Sequence, residues 1–246
     1  MLSSKVNFPE NLNILPSVDP KGELEHISGY EAQRQAIEKY GIAGRIWEAA
    51  YLLSIYVDPP KNIEFDTPFL TDPSGRPRTI LELGSGAGMT SSRMAENLNV
   101  QDMLIVTDLP EVYFPELLAP LLRSLLQVTS PPFSSPSSTD LDVTVVISYK
   151  IRSLSKETPF WAAFGLWFTF EPVLAHESSV KPHWQRFGSS SGDVAFIFIA
   201  HRRPESLTWH VPESDTDLLV GRGAMGNNSA KADDTFETLL LMTLEE

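Results

Sequence analysis

Short unbroken apolar runs alternate along this chain with segments whose apolar residues recur at helical spacing. The runs are "TILEL" (79–83), "MLIVTD" (103–108), "VTVVISYK" (143–150), "FTFEPVL" (168–174) and "VAFIFIAHRR" (194–203). Continuous apolar runs of this length, rich in β-branched and aromatic residues, predict strands buried on both faces. Between them, "MTSSRMAENL" (89–98), residues 113–127 with leucines at 117, 118, 121, 122, 125 and 126, and "FWAAFGLW" (160–167) predict helices. From Tyr30 a polar helix is expected. Gly41 and Gly44 divide it from a second, in which Ile42, Ile46, Ala49, Ala50 and Leu53 share a face with Trp47 beside it. The order strand, helix, parallel strand at 79–108 is a βαβ unit. The expected fold class is therefore α/β.

Around these elements lie irregular stretches. Residues 1–28 carry Pro9, Pro16 and Pro20 with no sustained period and read as an extended arm. Residues 58–78 are rich in turn formers and read as a loop, and 130–140, "SPPFSSPSSTD", as a Ser/Pro linker inside the main domain, 29–203. The remainder, 204–246, reads as a tail with a late helix at "DTFETLLLMTL", whose apolar stripe of Phe236, Leu239, Leu240 and Leu244 suits docking on its own domain.

Composition narrows the function. A hydrophobic fraction of 42% supports a real core, and a formal charge of −13 disfavours nucleic acid or an anionic membrane as partner. Cysteine is absent, which removes disulfides, thiolate metal sites and thiol nucleophiles. His26, His176, His183, His201 and His210 never fall four apart, so no metal site is expected. The N-terminus lacks the basic start and apolar core of a signal peptide, and no apolar run approaches a membrane span. A monomer in the cytoplasm is the expectation, with the nucleus left open.

The glycines of "LELGSGAGM" carry the chemistry. Glycine admits positive φ and lets a ligand approach the backbone. At the carboxyl end of a parallel strand, opening a helix, such a turn is the usual nucleotide site of α/β folds. Gly84, Gly86 and Gly88 are spaced G-x-G-x-G, unlike the G-x-G-x-x-G of dinucleotide sites, and Glu82 stands just before them. A carboxylate there suits a cationic ligand without phosphate, as S-adenosylmethionine is. Asp108, ending the next strand, is placed to accept hydrogen bonds from two ribose hydroxyls. The competing reading is a purely structural glycine turn.

With these motifs the chain resembles the class I, seven-strand S-adenosylmethionine-dependent methyltransferases, and among them the family 16 or methyltransferase-like protein-lysine methyltransferases. The resemblance is carried by "GIAGRIWEAAYLL", "LELGSGAGM", "VTDLPEV", "VYFPELLAPLL", "VVISYKIR" and the Phe160–Trp161 pair. It implies a Rossmann-like sheet, S-adenosyl-L-methionine as cofactor and a protein lysine as acceptor, in several members on translation elongation factors or chaperones. It assigns Trp47, Glu82, Gly84, Ser85, Gly86, Gly88, Asp108 and Leu109 to the donor and Tyr113 to the catalytic side. Trp47 also reads as an ordinary core aromatic.

One departure from the family matters. There, strand 2 is followed by strands 3 and 4, and strand 4 ends in an acid-x-x-Tyr motif lining the active site. Here "TDLPEV" runs straight into "YFPELLAPLL", so Asp108 and Tyr113 are five residues apart. A parallel strand needs a crossover of roughly a dozen residues or more, and none fits. Pro110 occupies the position of the family's acid, and Glu111 is one residue off. The sheet is expected to be incomplete, with about five strands. Val143–Tyr149 is expected to pair directly with Thr79–Leu83, leaving Met103–Thr107 as an exposed edge. Two intact motifs joined abruptly favour a lost block, as from a skipped exon or a mistaken gene model, over a degenerate member kept for binding, and predict an enzyme weakened or silenced. The alternative is a non-catalytic pseudo-methyltransferase that binds the donor or a protein; a nicotinamide-dependent oxidoreductase fits the glycine spacing less well. Elsewhere, Tyr149, Lys150 and Arg152 fall at a strand's carboxyl end, where α/β ligands sit. The aromatic residues 160–170 are expected to be core.

Overall fold

The computed structural model describes residues 15–17, 29–69, 76–108, 117–134, 143–177, 183–190 and 193–242. Most of the 1–28 arm, part of the 130–140 linker and the join between the two motifs, including Leu109, Pro110, Glu111 and Tyr113, lie outside the described residues. The chain is mixed α/β and divides into two compact units, Met1–Val112 with Leu174–Ala195, and Tyr113–Val173 with Phe196–Glu246.

The first unit begins with α1 (Tyr30–Tyr40), a 3-10 turn (Gly41–Gly44) and α2 (Glu48–Val57). The second helix therefore starts later than the Ile42–Leu53 periodicity predicts. Residues 45–47 are extended or bent, and Trp47 is the N-cap of α2 with φ −88° and ψ 151°, not a residue on its face. Gly44 is the cause: a Cβ there would lie 2.2 Å from the Ala36 carbonyl oxygen, so the chain folds back against α1 instead of continuing as helix.

A three-stranded antiparallel sheet follows the order β1 (Ile63–Asp66), β6 (Leu174–Glu177), β7 (Gln185–Arg186). The first of these strands falls within 58–78, which was expected to be loop. Ile63 and Phe65 alternate with Glu64 and Asp66, the two-residue period of a half-buried strand, and that signal is short beside the surrounding turn formers. Phe65 is buried and meets Tyr56 of α2 edge-on at 5.2 Å and Phe187 at 4.8 Å.

The βαβ unit is present. β2 (Thr79–Leu83) and β3 (Met103–Thr107) pair in parallel from Thr79↔Met103 to Leu83↔Thr107, with α3 (Met89–Glu96) between them in the chain. Asp102 fastens the start of this ladder: its carboxylate accepts from the Arg78 backbone N–H at 2.9 Å and guanidinium at 2.5 Å, and from the Asn99 N–H at 2.8 Å. Those bonds, led by the one from Arg78, hold its carboxyl well below the usual carboxylate range.

The expected pairing of 143–149 with 79–83 is not formed. Among the described residues β2 pairs only with β3, while β4 (Thr144–Lys150) lies beside β9 (Asp193–Arg202) in a sheet ordered β4-β9-β5, with β5 at Phe168–Pro172 and the short β8 (Ser189–Ser190) also on β9. The physical reason is where the apolar partners are. In the second unit α5 (Leu154–Trp167) buries Phe160, Trp161, Ala163, Phe164, Leu166 and Trp167, and Tyr149 of β4 packs edge-on against Trp161 at 5.0 Å. A helix apolar on nearly every side must be covered on nearly every side. Phe196, Phe198 and Ala200 of β9 cover part of it, and α4 (Leu118–Val128) joins the same core through Leu122, Leu125 and Leu126. Leu218 of α6 (Asp215–Leu219) and Phe236 of α7 (Thr235–Met242) complete that core. Phe236 stacks on Trp161 at 4.9 Å with the planes 12° apart, so the late helix docks on its own unit. The aromatic run is core.

β3 is exposed. Met103 is 54%, Ile105 41% and Val106 45% accessible, and on β2 Leu81 and Leu83 are about as open. Strands with the composition of a buried interior here form a two-stranded ribbon with no further strand beside either edge among the described residues.

Candidate functional site

β2 delivers Glu82 at its carboxyl end, and the chain then passes through three left-handed glycines: Gly84 (φ 71°), Gly86 (φ 53°) and Gly88 (φ 75°). Each is a conformation that L-residues adopt at a cost of roughly 1–2 kcal/mol. A Cβ at Gly84 or Gly88 would meet nothing within 4 Å. Backbone conformation, not crowding by the described residues, demands glycine there. The Ser85 N–H donates to the Thr107 carbonyl at 3.1 Å, continuing the β2–β3 ladder into the loop. The Gly88 N–H donates to the Ser85 carbonyl at 2.9 Å, closing the turn, and Gly88 is the left-handed N-cap of α3. Thr107 binds a second time, its hydroxyl donating to the Glu82 carbonyl at 2.9 Å.

The Glu82 carboxyl responds to its burial first and to its polar and charged neighbours after that. Burial pushes the Glu82 carboxyl above the usual range; a hydrogen bond from Ser91 opposes that shift, and the charge of Asp108 reinforces it. Ser91 sits in the first turn of α3 and donates its hydroxyl to Glu82 Oε2. Glu82 is thus half-buried on the turn and Asp108 is exposed at the end of the neighbouring strand, close enough for their charges to interact. Such a pair is relieved by a ligand that brings positive charge or hydroxyl donors. S-adenosylmethionine brings both, so these residues fit it.

Trp47 is half-buried, with the Arg45 guanidinium over its ring at 4.4 Å, and Arg45 pairs with Glu48 at 2.8 Å. Its neighbour Ile46 is the buried one, packed with Tyr51 and Met89. Met89 is the first residue of the helix that the glycine turn opens, so the segment before α2 is anchored to that helix through Ile46. The pure core reading of Trp47 therefore belongs to Ile46 instead. Ser91 and Thr107 carry no distinctive signal in the sequence pattern, and Ile46 shows there only as one residue of an apolar helix face. A hydroxyl in the first turn after the glycines was the available signal for Ser91, and single serines are too common to read.

Tyr149, Lys150 and Arg152 belong to the second unit. The Tyr149 hydroxyl donates to Glu157 Oε2 at 2.5 Å, and the same oxygen accepts the Arg152 and Ser153 backbone N–H groups at 3.2 Å. Glu157 therefore fills the N-terminus of α5, and Tyr149 has a structural task there. Leu109 and Tyr113 lie outside the described residues. No helix among the described residues is long and apolar enough to cross a membrane.

Residues 31–120 match the family model described as lysine methyltransferase. The match takes in Trp47, Glu82, the three glycines, Asp108 and Tyr113; "VVISYKIR" and the Phe160–Trp161 pair lie beyond it. No curated protein and no solved structure matches the chain.

Proposed function

With a lysine methyltransferase segment over residues 31–120 as the premise, we propose that the turn between Glu82 and Asp108 binds S-adenosyl-L-methionine and that the chain is a protein-lysine methyltransferase with a weakened acceptor side. One observation carries the reading: two carboxylates whose charges interact flank a turn of three left-handed glycines. A nicotinamide dinucleotide brings phosphates toward that pair of negative charges, which disfavours the oxidoreductase reading.

When bound, the donor supplies an electrophilic methyl carbon on a sulfonium. Gly84, Ser85, Gly86 and Gly88 shape the backbone against it. Glu82 offers a partly desolvated negative charge to its cationic portion, oriented by Ser91. Asp108 accepts from ribose hydroxyls, and the family resemblance assigns Trp47 and Leu109 to the donor as well. Catalysis in this class rests mostly on holding a neutral amine in line with the methyl carbon. Tyr113 is the candidate for that side, and Pro110 stands where the family's acid is expected. In this reading β2 and β3 are the remaining part of a Rossmann-like sheet that has lost family strands 3 and 4. The acceptor class is a lysine on a protein such as a translation factor or chaperone.

The test pairs equilibrium binding of the donor with transfer of a radiolabelled methyl group to proteins of a cell lysate. Binding with transfer well below that of an intact family member supports the proposal. Binding with no transfer supports the pseudo-methyltransferase alternative, and turnover at the level of an intact enzyme would overturn the weakened acceptor side.

A further inference from the structure

α1 is exposed along most of its length, yet Gln33 in its first turns is only 3% accessible. A single buried amide on an otherwise solvated helix has to be satisfied by the protein, because an unpaired one is costly. Among the described residues one consistent set of bonds surrounds it. Gln33 Oε1 accepts from the Ser17 N–H at 3.2 Å and the Ile46 N–H at 3.3 Å. Gln33 Nε2 donates to the Ser17 carbonyl at 3.1 Å and to the Tyr51 hydroxyl at 3.1 Å. The Ser17 hydroxyl donates to the Ile46 carbonyl, and the Tyr51 hydroxyl, 3.3 Å away, is free to donate to the Ser17 oxygen. The side-chain amide thus pairs with both backbone groups of Ser17, as a neighbouring strand would, and reaches two further segments with the same two atoms.

Those two segments lead to the donor turn. Ile46, Tyr51 and Met89, which follows Gly88, form one buried apolar cluster. Ile46 also precedes Trp47, and the close approach of Gly44 to the Ala36 carbonyl holds the same stretch against α1 from the other side. A contiguous path therefore runs from Ser17 through Gln33 to Ile46 and Tyr51, and on to Met89 at the end of the glycine turn. No other residue of the path is a side-chain amide able to bond all three segments.

We propose that Gln33 is a positioning residue for the donor site: by tying Ser17, Ile46 and Tyr51 together it sets the Arg45–Trp47 segment and, through Met89, the glycine turn. The consequence for donor affinity rests on the function proposed above, whereas the coupling to the turn does not. It is tested on the full chain with three variants. Gln33→Met keeps the shape and removes every hydrogen bond. Gln33→Glu keeps the oxygen that accepts from Ser17 and Ile46 and loses the donors. Phe65→Leu loosens the β1 sheet of the same unit without touching this path. S-adenosylhomocysteine affinity, the thermal midpoint and backbone hydrogen exchange are measured for each.

The expected result is about tenfold weaker binding for Gln33→Met, the loss of one or two buried hydrogen bonds. Gln33→Glu should be intermediate, and Phe65→Leu should lower the midpoint with affinity unchanged. Exchange should quicken at 45–51 and 89–92 in Gln33→Met and at neither in Phe65→Leu. Affinity that falls in step with the midpoint in all variants, or exchange at 89–92 unaltered by Gln33→Met, would overturn the proposal. If the unaltered chain binds no donor analogue, the functional reading fails, and the exchange result still decides whether Gln33 sets the turn.

Discussion

β9 and β3 are close in composition and opposite in fate. The stretch Ala195–Ala200 of β9 reads "AFIFIA" and is at most 5% accessible, whereas "MLIVT" of β3 leaves Met103, Ile105 and Val106 at 41–54%. β9 has strands on both sides and the aromatic helix α5 in its core; β3 has one parallel partner and no other strand beside it among the described residues. Composition states what a strand needs from its surroundings. Connectivity decides whether it receives it. In this chain the second unit gathers a dense aromatic core, and the glycine turn is carried by a two-stranded ribbon with no further strand beside it among the described residues.

The contrast can be broken first at its strong end. Trp161, 1% accessible, touches Phe160, Phe164, Phe170, Phe198, Phe236 and Tyr149. Trp161→Ala is expected to cost about 3–5 kcal/mol, the range for emptying a large aromatic site, read from urea unfolding followed by circular dichroism. A loss under about 1 kcal/mol would mean that this core is not what holds the second unit.

The turn itself gives a smaller and cleaner effect. Gly88→Ala introduces a Cβ into open space at φ 75°, so only the backbone penalty of roughly 1–2 kcal/mol remains. Gly88→Asn should recover part of it, since asparagine tolerates that region better. Equal stability of Gly88→Ala and the unaltered chain would show that the left-handed turn is not formed in solution.

The smallest effect is expected at the weak end. Met103→Lys places a charge on a face that already meets water, so stability should change by no more than about 0.5 kcal/mol. Self-association, measured by sedimentation, should fall because an open apolar edge is a site for pairing with other chains. A large destabilisation would mean that β3 is covered after all.

Much of this was legible in the sequence, and the limits have physical causes. The glycine turn, its flanking carboxylates and the elements on either side follow from local spacing, which backbone sterics impose directly. The helix at 235–242 and the burial of residues 160–168 follow from periodicity. The pairing of β4 is not legible in the sequence because an apolar run names no partner; β4 lies beside β9 on a core whose bulk comes from residues distant in the chain. Ile42 to Leu53 keep helical spacing and predict a helix with Trp47 beside its apolar face, yet the fold-back at Gly44 delays the helix until Glu48. The bond from Ser91 to Glu82 and the Gln33 cluster depend on side chains meeting across the fold, which no pattern in one dimension records.

The central claim is that Glu82 and Asp108 flank a donor site, and calorimetric titration with S-adenosylmethionine across pH tests it most directly. The folded-state pKa of Glu82 lies above its unfolded value, so its contribution to stability declines as pH rises from the ordinary carboxylate range through that raised value. A cationic, hydroxyl-bearing ligand favours the ionised form, so binding should expel the proton and affinity should strengthen with pH over the same window. The account predicts one site per chain, proton release in that window, and for Glu82→Gln an affinity lower by about 1.5–3 kcal/mol with no pH dependence from this group. No binding heat, or a Glu82→Gln titration superimposable on that of the unaltered chain at every pH, would contradict it.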